Sequence, residues 1–110
     1  MQEPEFSQLE KRRLQIISEI KEIESMRRGT LNEIYRKQEL KSGAVAKRGP
    51  FYNITTKGKA NKTITVAVPR KDAVRVRKEI DDYKRFRLLC EEYIDVCEAI
   101  ALLSENDSKA

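Results

Sequence analysis

The sequence predicts an α+β fold, in which a long antiparallel two-helix, coiled-coil-like stalk carries a short helix and a two-stranded β-hairpin inserted between the long helices. Apolar residues recur at helical spacing over 5–28 and 72–103. Between them, β-branched and aromatic residues crowd 51–68 on both sides of a Lys-Gly-Lys-Ala-Asn turn. Because a lone hairpin is marginal in water, the helices must support it. The length of 110 residues predicts one domain, 1–110.

The first predicted helix, 5–28, has the apolar spacing of a coiled-coil seam. Leu14 and Ile17 lie on the flank of that seam. They indicate either a homodimer surface or a partner helix of the same chain that covers a wider stripe. The residues at the a and d positions are Phe6, Leu9, Ile16, Ile20 and Ile23.

A short helix is predicted over 30–40, followed by a loop. Thr30 and Glu33 have the spacing of a capping box, in which each side chain accepts a hydrogen bond from the other residue's backbone N–H. Residues 41–50 contain two glycines and a proline and show no periodicity, which indicates a flexible basic loop.

The hairpin over 51–68 should place one face of its strands against the helices. Pro69 ends the pairing because proline has no N–H to donate to a neighbouring strand. The residues expected on the face that points at the helices are Tyr52, Ile54, Ile64, Val66 and Val68.

The last predicted helix covers 72–103, with Asp72 as its N-cap, and a polar tail follows over 104–110. Cys90 and Cys97 lie about 10 Å apart along this helix, too far for a bridge within it. They are either small buried apolar residues or partners in an intermolecular disulfide. The expected interhelical seam packs Ile16, Ile20 and Ile23 against Tyr93, Ile94 and Cys97. The adjoining stripe of this helix consists of Phe86, Leu89, Tyr93, Val96, Ile100 and Leu103.

Positive charge is concentrated in the middle of the chain. Residues 27–87 hold 18 basic and 6 acidic side chains, although the whole chain has a net charge of only +5. The predicted fold brings these cations to one end, and clustered Lys and Arg bind phosphate backbones by releasing counterions. An acidic protein partner or an ordinary solvated surface are the alternatives. The predicted nucleic-acid-binding residues are Arg36, Lys37, Lys47, Arg48, Tyr52, Lys57, Lys59, Lys62, Arg70, Lys71, Arg75 and Lys78.

Catalytic and metal-binding signals are missing from the sequence. The chain has no His and no CxxC, HExxH, GxGxxG or Walker pattern. Asp81 and Asp82 are adjacent, so in a helix they point to different faces and make a poor catalytic pair. We therefore expect no enzyme activity, no cofactor and no metal. Without a signal-peptide pattern or a membrane-length apolar run, we expect a cytoplasmic protein that does not contact membranes.

Several short motifs resemble a family of small uncharacterised prokaryotic proteins. The matching segments are RRGTLNEIYRK, GPFYNIT, the arm from Lys62 to Pro69, and YKRFRLL, which together span about 27–90. Family members read RRGxL, then Y-x-K, GPxY, V-P and Y-x-R-F, and their genes often lie near mobile elements. The resemblance implies a DNA-related accessory role. Many members carry Cys between the Y-x-K and GPxY motifs, but this chain has none there, so no metal role is carried over.

The sequence thus favours a non-enzymatic nucleic-acid-binding accessory protein, with a phage or mobile-element association implied by the resemblance. The alternative is a protein–protein adaptor, either like a prefoldin chaperone subunit or an inhibitor of a nucleic-acid-handling enzyme. Lysines on the hairpin edge argue against prefoldin-like assembly, because edge lysines discourage strand-to-strand pairing.

Overall fold

The computed structural model describes residues 3–109 and has an α+β fold. Two short 3-10 turns, Lys59–Asn61 and Arg70–Asp72, lie between its longer elements. Of the predicted tail over 104–110, the part up to Lys109 is helical, and Ala110 lies outside the described residues. The helices and strands, in order, are α1 (Glu3–Lys21), β1 (Thr30–Glu39), β2 (Val45–Lys57), β3 (Thr63–Val68) and α2 (Ala73–Lys109).

The chain forms two compact units. The helical unit contains α1 and the part of α2 that begins at Asp82. The sheet unit, Met26–Asp81, contains the three strands and the first part of α2. The two units are each built around a separate buried cluster of apolar side chains.

The core of the helical unit is formed by Ile16, Leu89 and Val96. The α1 residues of the predicted seam and Tyr93 lie in this interface, as predicted. The α2 side is corrected, because Ile94 is 54% exposed and Leu89, Val96 and Ile100 of the adjoining stripe lie in the interface instead. That stripe carries large apolar side chains, whereas the expected one includes the smaller Cys97, so it buries more apolar area. The side chains that pack around this core are Leu9, Ile20, Ile23, Tyr93 and Ile100.

Two interhelical ion pairs show that the helices of this unit run antiparallel. Arg12 forms a two-pronged hydrogen bond with Glu92, from Nε to Oε2 and from Nη2 to Oε1, each at 2.6 Å. Seven residues further along α1, Glu19 Oε1 lies 3.5 Å from Arg85 Nη2. As the α1 residue advances from 12 to 19, its partner moves back from 92 to 85. The hydrogen bonds from Arg12 lower the pKa of Glu92 below its ordinary value.

Helix α1 ends at Lys21, seven residues before the predicted end at 28. The chain tightens after it, with the Ile23 N–H donating to the Ile20 carbonyl at 3.1 Å. Further on, the Arg27 N–H donates to the Glu79 carbonyl of α2 at 3.0 Å. This hydrogen bond ties Arg27 to α2, although the apolar periodicity of the sequence alone would continue α1 to residue 28.

The side of α1 that carries Leu14 and Ile17 is not covered within the helical unit. Leu14 is largely exposed, and Ile17 lines an apolar groove of about 520 Å³. Cys90 and Cys97 are free, half-buried thiols. The other residues that line the groove are Ile20, Lys21, Cys90, Tyr93 and Ile94.

The sheet has three antiparallel strands in the order β1-β2-β3. The predicted hairpin is its β2–β3 half, paired from Tyr52 opposite Val68 to Lys57 opposite Thr63. The Gly58 N–H closes the turn by donating to the Lys62 carbonyl at 2.7 Å. Strand β3 ends immediately before Pro69, as predicted.

The prediction of a helix over 30–40 is wrong, because this segment is β1. Leu31 and Ile34 have helical spacing, yet they pair with Ile54 and Phe51 of β2 and lie on opposite faces of the sheet. Long-range pairing with the central strand outweighs the local capping signal, as tertiary context commonly does. Gly29 turns the chain into β1 with φ of 131°.

The predicted loop over 41–50 is mostly strand as well. Only the turn from Leu40 to Ala44 is irregular, closed by the Leu40 N–H donating to the Ala44 carbonyl at 2.7 Å. β2 begins at Val45, and its register with β1 shifts between Ile34 and Arg36. Gly49 and Pro50 lie opposite that irregularity, and their presence made the segment resemble a loop in the sequence.

One face of the sheet packs against the start of α2. Ile54 and Val68 form a buried cluster with Val76 and Ile80, and Leu31 and Tyr52 pack around it. Ile64 and Val66 lie on this face, as predicted, but about half of each side chain is exposed. Only Pro69 and the turn Arg70–Asp72 separate Val68 from α2, so the helix covers the end of β3 nearest to its own start.

Candidate functional site

The face of the sheet turned away from the start of α2, here called the open face, carries the candidate site. Partners in an antiparallel sheet share a face, and successive residues alternate between faces. The Asn32 side-chain amide donates to Asn53 Oδ1 at 2.8 Å and to Thr55 Oγ1 at 3.2 Å, which places the three together. The register gives the open face Thr30, Asn32, Ile34, Arg36, Gln38, Ala46, Arg48, Phe51, Asn53, Thr55, Lys57, Thr63, Thr65 and Ala67.

Charges are divided unequally between the two faces of the sheet. The three strands, all within the described residues, contain only two acidic side chains, Glu33 and Glu39. Both alternate onto the core-facing side. The charged residues of the open face are all cations: Arg36, Arg48 and Lys57. This face therefore has no carboxylate to neutralise its positive charge.

Two pairs of like charges lie directly across β1 and β2. Arg36 is opposite Arg48 on the open face, and Lys37 is opposite Lys47 on the core-facing side. Like charges at directly opposed positions destabilise a sheet. Four cations thus occupy two successive cross-strand pairs, one on each face of the sheet.

Phe51 is the exposed aromatic residue of the open face. Its side chain is 43% exposed, and the guanidinium carbon of Arg36 lies 4.9 Å from the ring centroid. Phe51 and Arg36 border two shallow depressions, of about 370 and 480 Å³. The first runs over Ile34 and Ala67 toward Arg70, and the second lies beside Arg48. An apolar floor is thus bordered by guanidinium groups.

The core-facing side uses its polar groups in contacts within the sheet unit. The Tyr35 hydroxyl donates to Glu33 Oε1 at 2.8 Å, and this hydrogen bond raises the pKa of Tyr35. Lys47 Nζ lies 4.2 Å from the centroid of the Tyr35 ring, in a cation–π contact. Tyr52 packs against the sheet core.

The structure divides the predicted binding residues among four places instead of bringing them to one end. Because β1–β2 and β2–β3 turn at opposite ends of β2, the arginine pair and the lysine-rich tip are separated by nine residues of strand, about 30 Å. Arg36, Arg48 and Arg70 border the depressions. Lys37, Lys47 and Tyr52 alternate onto the core-facing side, although Lys37 and Tyr52 also line the edge of a depression. The others lie at the β2–β3 tip (Lys57, Lys59 and Lys62) or in the segment that leads into and begins α2 (Lys71, Arg75 and Lys78).

Arg75 differs from the open-face arginines because carboxylates surround it. Its Nη1 donates to both oxygens of Glu79, at 3.1 and 3.2 Å, and Nη2 lies 3.7 Å from Asp72. These pairs neutralise much of the local charge. Arg75 is therefore a weaker candidate for phosphate contact than Arg36 or Arg48.

Sequence reasoning did not single out Ile34, Phe51, Asn53, Thr65 or Ala67 as site residues. The alternation of Phe51 and Asn53 with Tyr52 and Ile54 was a usable signal, because it assigns the first two to the face away from the core. The missing information was the existence of β1, which completes the open face.

Comparison of the chain with protein-family models, curated proteins and solved structures finds no match. The resemblance to the prokaryotic family carrying RRGxL and GPxY motifs stays a prediction. Neither described helix has a stretch long and apolar enough to cross a membrane. Within residues 3–109, no group of three or more His, Cys, Asp or Glu side chains is placed to hold a metal ion.

Proposed function

We propose that this protein is a non-enzymatic nucleic-acid-binding module that contacts phosphates through the open face of its sheet. Arg36, Arg48 and Arg70 are the main phosphate contacts. The observation that carries the proposal is the Arg36–Arg48 cross-strand pair on a face without carboxylates. A phosphate backbone supplies negative charge at regular intervals and is recognised mainly by Lys and Arg.

The cost of the like-charge pairs gives the proposal its physical basis. Opposed like charges in a sheet cost a few tenths to about 1 kcal/mol per pair. Exposed carboxylates on the open face would relieve the repulsion between Arg36 and Arg48, but Glu33 and Glu39 lie on the core-facing side, with the Lys37–Lys47 pair. A bound polyanion relieves it in the complex, so the free protein retains a charge arrangement suited to binding.

The lysine tip is a second contact region in this proposal. Lys57, Lys59 and Lys62 are all exposed, and Lys57 lies on the open face. With about 30 Å of strand between the arginine pair and the tip, one nucleic acid would have to run along β2 to meet both. The arginines should dominate because they border an apolar surface as well as contacting phosphates.

Salt dependence of binding tests the proposal. Affinity of the parent for a fluorescein-labelled oligonucleotide, measured by anisotropy, should fall steeply as salt rises. Arg36→Gln with Arg48→Gln should weaken binding and lower the slope of log affinity against log salt by about 1.4 to 1.8, the contribution of two phosphate contacts. The matched control, Lys11→Gln with Lys21→Gln, removes the same charge from α1 and should leave the slope near that of the parent.

Two results would overturn the proposal. One is the absence of salt-sensitive binding to DNA and RNA, whether single-stranded or duplex. The other is equal loss of affinity in the α1 control and the Arg36/Arg48 variant, since net charge alone would then explain binding. A DNA-related accessory role near mobile elements, implied by the family resemblance, would need a separate test in cells.

A further inference from the structure

We infer that the open face binds an unpaired nucleic-acid strand, with a base stacked on Phe51 and the neighbouring phosphates on the three arginines. The inference rests on the proposed function and specifies its ligand. It follows from the combination of an exposed aromatic ring, an apolar floor and a cationic border in one continuous surface.

The apolar floor distinguishes between single-stranded and duplex ligands. A duplex presents phosphates and base edges on its outside, while the flat faces of its bases are stacked within it. Ile34, Phe51 and Ala67 offer nothing to phosphates, but they match the face of an unpaired base. Duplex binding would use the arginines alone and leave the ring exposed to water.

Polar groups beside the ring suit the edges of a base. Asn53 and Thr65 line the same depression as Phe51. Their amide and hydroxyl groups can donate and accept hydrogen bonds at base edges that pairing would hide. Asn53 is held by the Asn32 side chain, which donates to its Oδ1 at 2.8 Å, so its position is fixed before binding.

The dimensions fit short segments of a single strand. The first depression spans all three strands, from Ile34 on β1 to Ala67 on β3, about 10 Å across two strand spacings. Volumes of about 370 and 480 Å³ lie in the range of pockets for small ligands such as one nucleotide. Phe51 borders both depressions, and the Arg36 guanidinium lies over one face of its ring, so the base stacks on the other face.

The absence of Trp from the chain permits a direct test of base contact. Phe51→Trp introduces a single indole at the stacking position, and its fluorescence would report stacking independently of affinity. We expect quenching when an oligonucleotide of about 12 nucleotides is added as single-stranded DNA or RNA. The matching duplex should quench much less, even at concentrations at which anisotropy shows that it binds.

Affinity measurements on two further variants complete the test. Phe51→Ala should weaken single-strand binding by about 5- to 100-fold, the usual loss when one stacking platform is removed, and weaken duplex binding little. Phe51→Tyr keeps the ring and should bind within about threefold of the parent. Circular dichroism checks that each variant is folded. Phe51→Trp provides a second measurement, fluorescence quenching, in a variant that retains an aromatic ring at position 51.

The outcomes separate this inference from the proposed function. Salt-sensitive binding that depends on Arg36 and Arg48, together with no effect of Phe51→Ala and equal quenching by duplex and single strand, would overturn the stacking inference and retain the proposed function. No binding to any nucleic acid would overturn both. A stronger response to RNA or to DNA would identify which single strand the surface accepts.

Discussion

Truncating Ile16 to Ala tests where the interhelical seam lies. Ile16 is fully buried between α1 and α2, in the cluster with Leu89 and Val96. The substitution removes three carbon atoms, and at about 0.8 kcal/mol per buried CH2 group the lost transfer free energy is about 2.4 kcal/mol. Space left unfilled adds to this, so the free energy of unfolding should fall by about 3 kcal/mol.

Ile94→Ala is the matched control, because it makes the same change in the partner helix. Ile94 is 54% exposed, so its truncation should cost only about 1 kcal/mol. The gain in helix propensity from Ile to Ala is similar at both positions and cancels in the comparison.

Urea unfolding followed by far-UV circular dichroism measures the difference. With an m-value of about 1.5 kcal/mol/M, the midpoint should fall by about 2 M for Ile16→Ala and by less than about 1 M for Ile94→Ala. A loss for Ile94→Ala as large as that for Ile16→Ala would show that the seam runs along the Ile94 and Cys97 stripe, and the packing argued above would be refuted.

Three further predictions concern a charge pair, a backbone turn and the hairpin tip. Because Arg12 lowers the pKa of Glu92 in the folded state, that pair stabilises the fold at neutral pH, and the stabilisation is lost as pH falls through the lowered pKa. The melting temperature of Glu92→Gln should therefore lie below that of the parent near pH 7 and converge with it once the pH is below the lowered pKa. Gly29→Ala places a Cβ 2.8 Å from Thr56 at φ 131° and should lower the free energy of unfolding, measured in urea, by about 3 kcal/mol or more. Gly43→Ala, at φ 84° with no atom within 4 Å, should lower it by only about 1 kcal/mol. Equal losses would contradict the close packing at Gly29. Replacing Lys57, Lys59 and Lys62 of the tip by Gln should change the free energy of unfolding by less than about 1 kcal/mol. Measured by anisotropy, the affinity for single strands should fall less than it does on loss of the Arg36–Arg48 pair. The reverse order would identify the tip as the main contact.

The sequence was most informative where local and long-range preferences agree. The β2–β3 hairpin has β-branched residues in both arms and a glycine-containing tip, and its pairing from Tyr52 to Lys57 follows that pattern. Pro69 ends β3 because proline has no N–H to donate to a neighbouring strand, and this property can be read without knowing the fold. The long C-terminal helix likewise has sustained periodicity, so its existence was predictable even though it extends past 103 to Lys109.

Sequence reasoning failed where a long-range partner decides the local structure. The segment 30–40 contains a capping signal and Leu31–Ile34 spacing that favour a helix, and only pairing with β2 makes it a strand. That one error hid the site, because Arg36 and Arg48 become opposed only when β1 exists. The concentration of cations was visible, but their separation into an arginine-bordered surface and a distant lysine tip depends on two turns at opposite ends of β2.

The long sequence separation inside the helical unit has a consequence for how the chain is made. Arg12 and Glu92, which join α1 to α2, are 80 residues apart. At a translation rate of about 5–20 residues per second, α1 is synthesised roughly 4 to 16 s before its partner segment. During that interval Ile16 and its apolar neighbours have no interhelical surface to cover them, while the strands between can already pair. The sheet unit can therefore form first during synthesis, and the nascent helix is the segment that needs protection from aggregation.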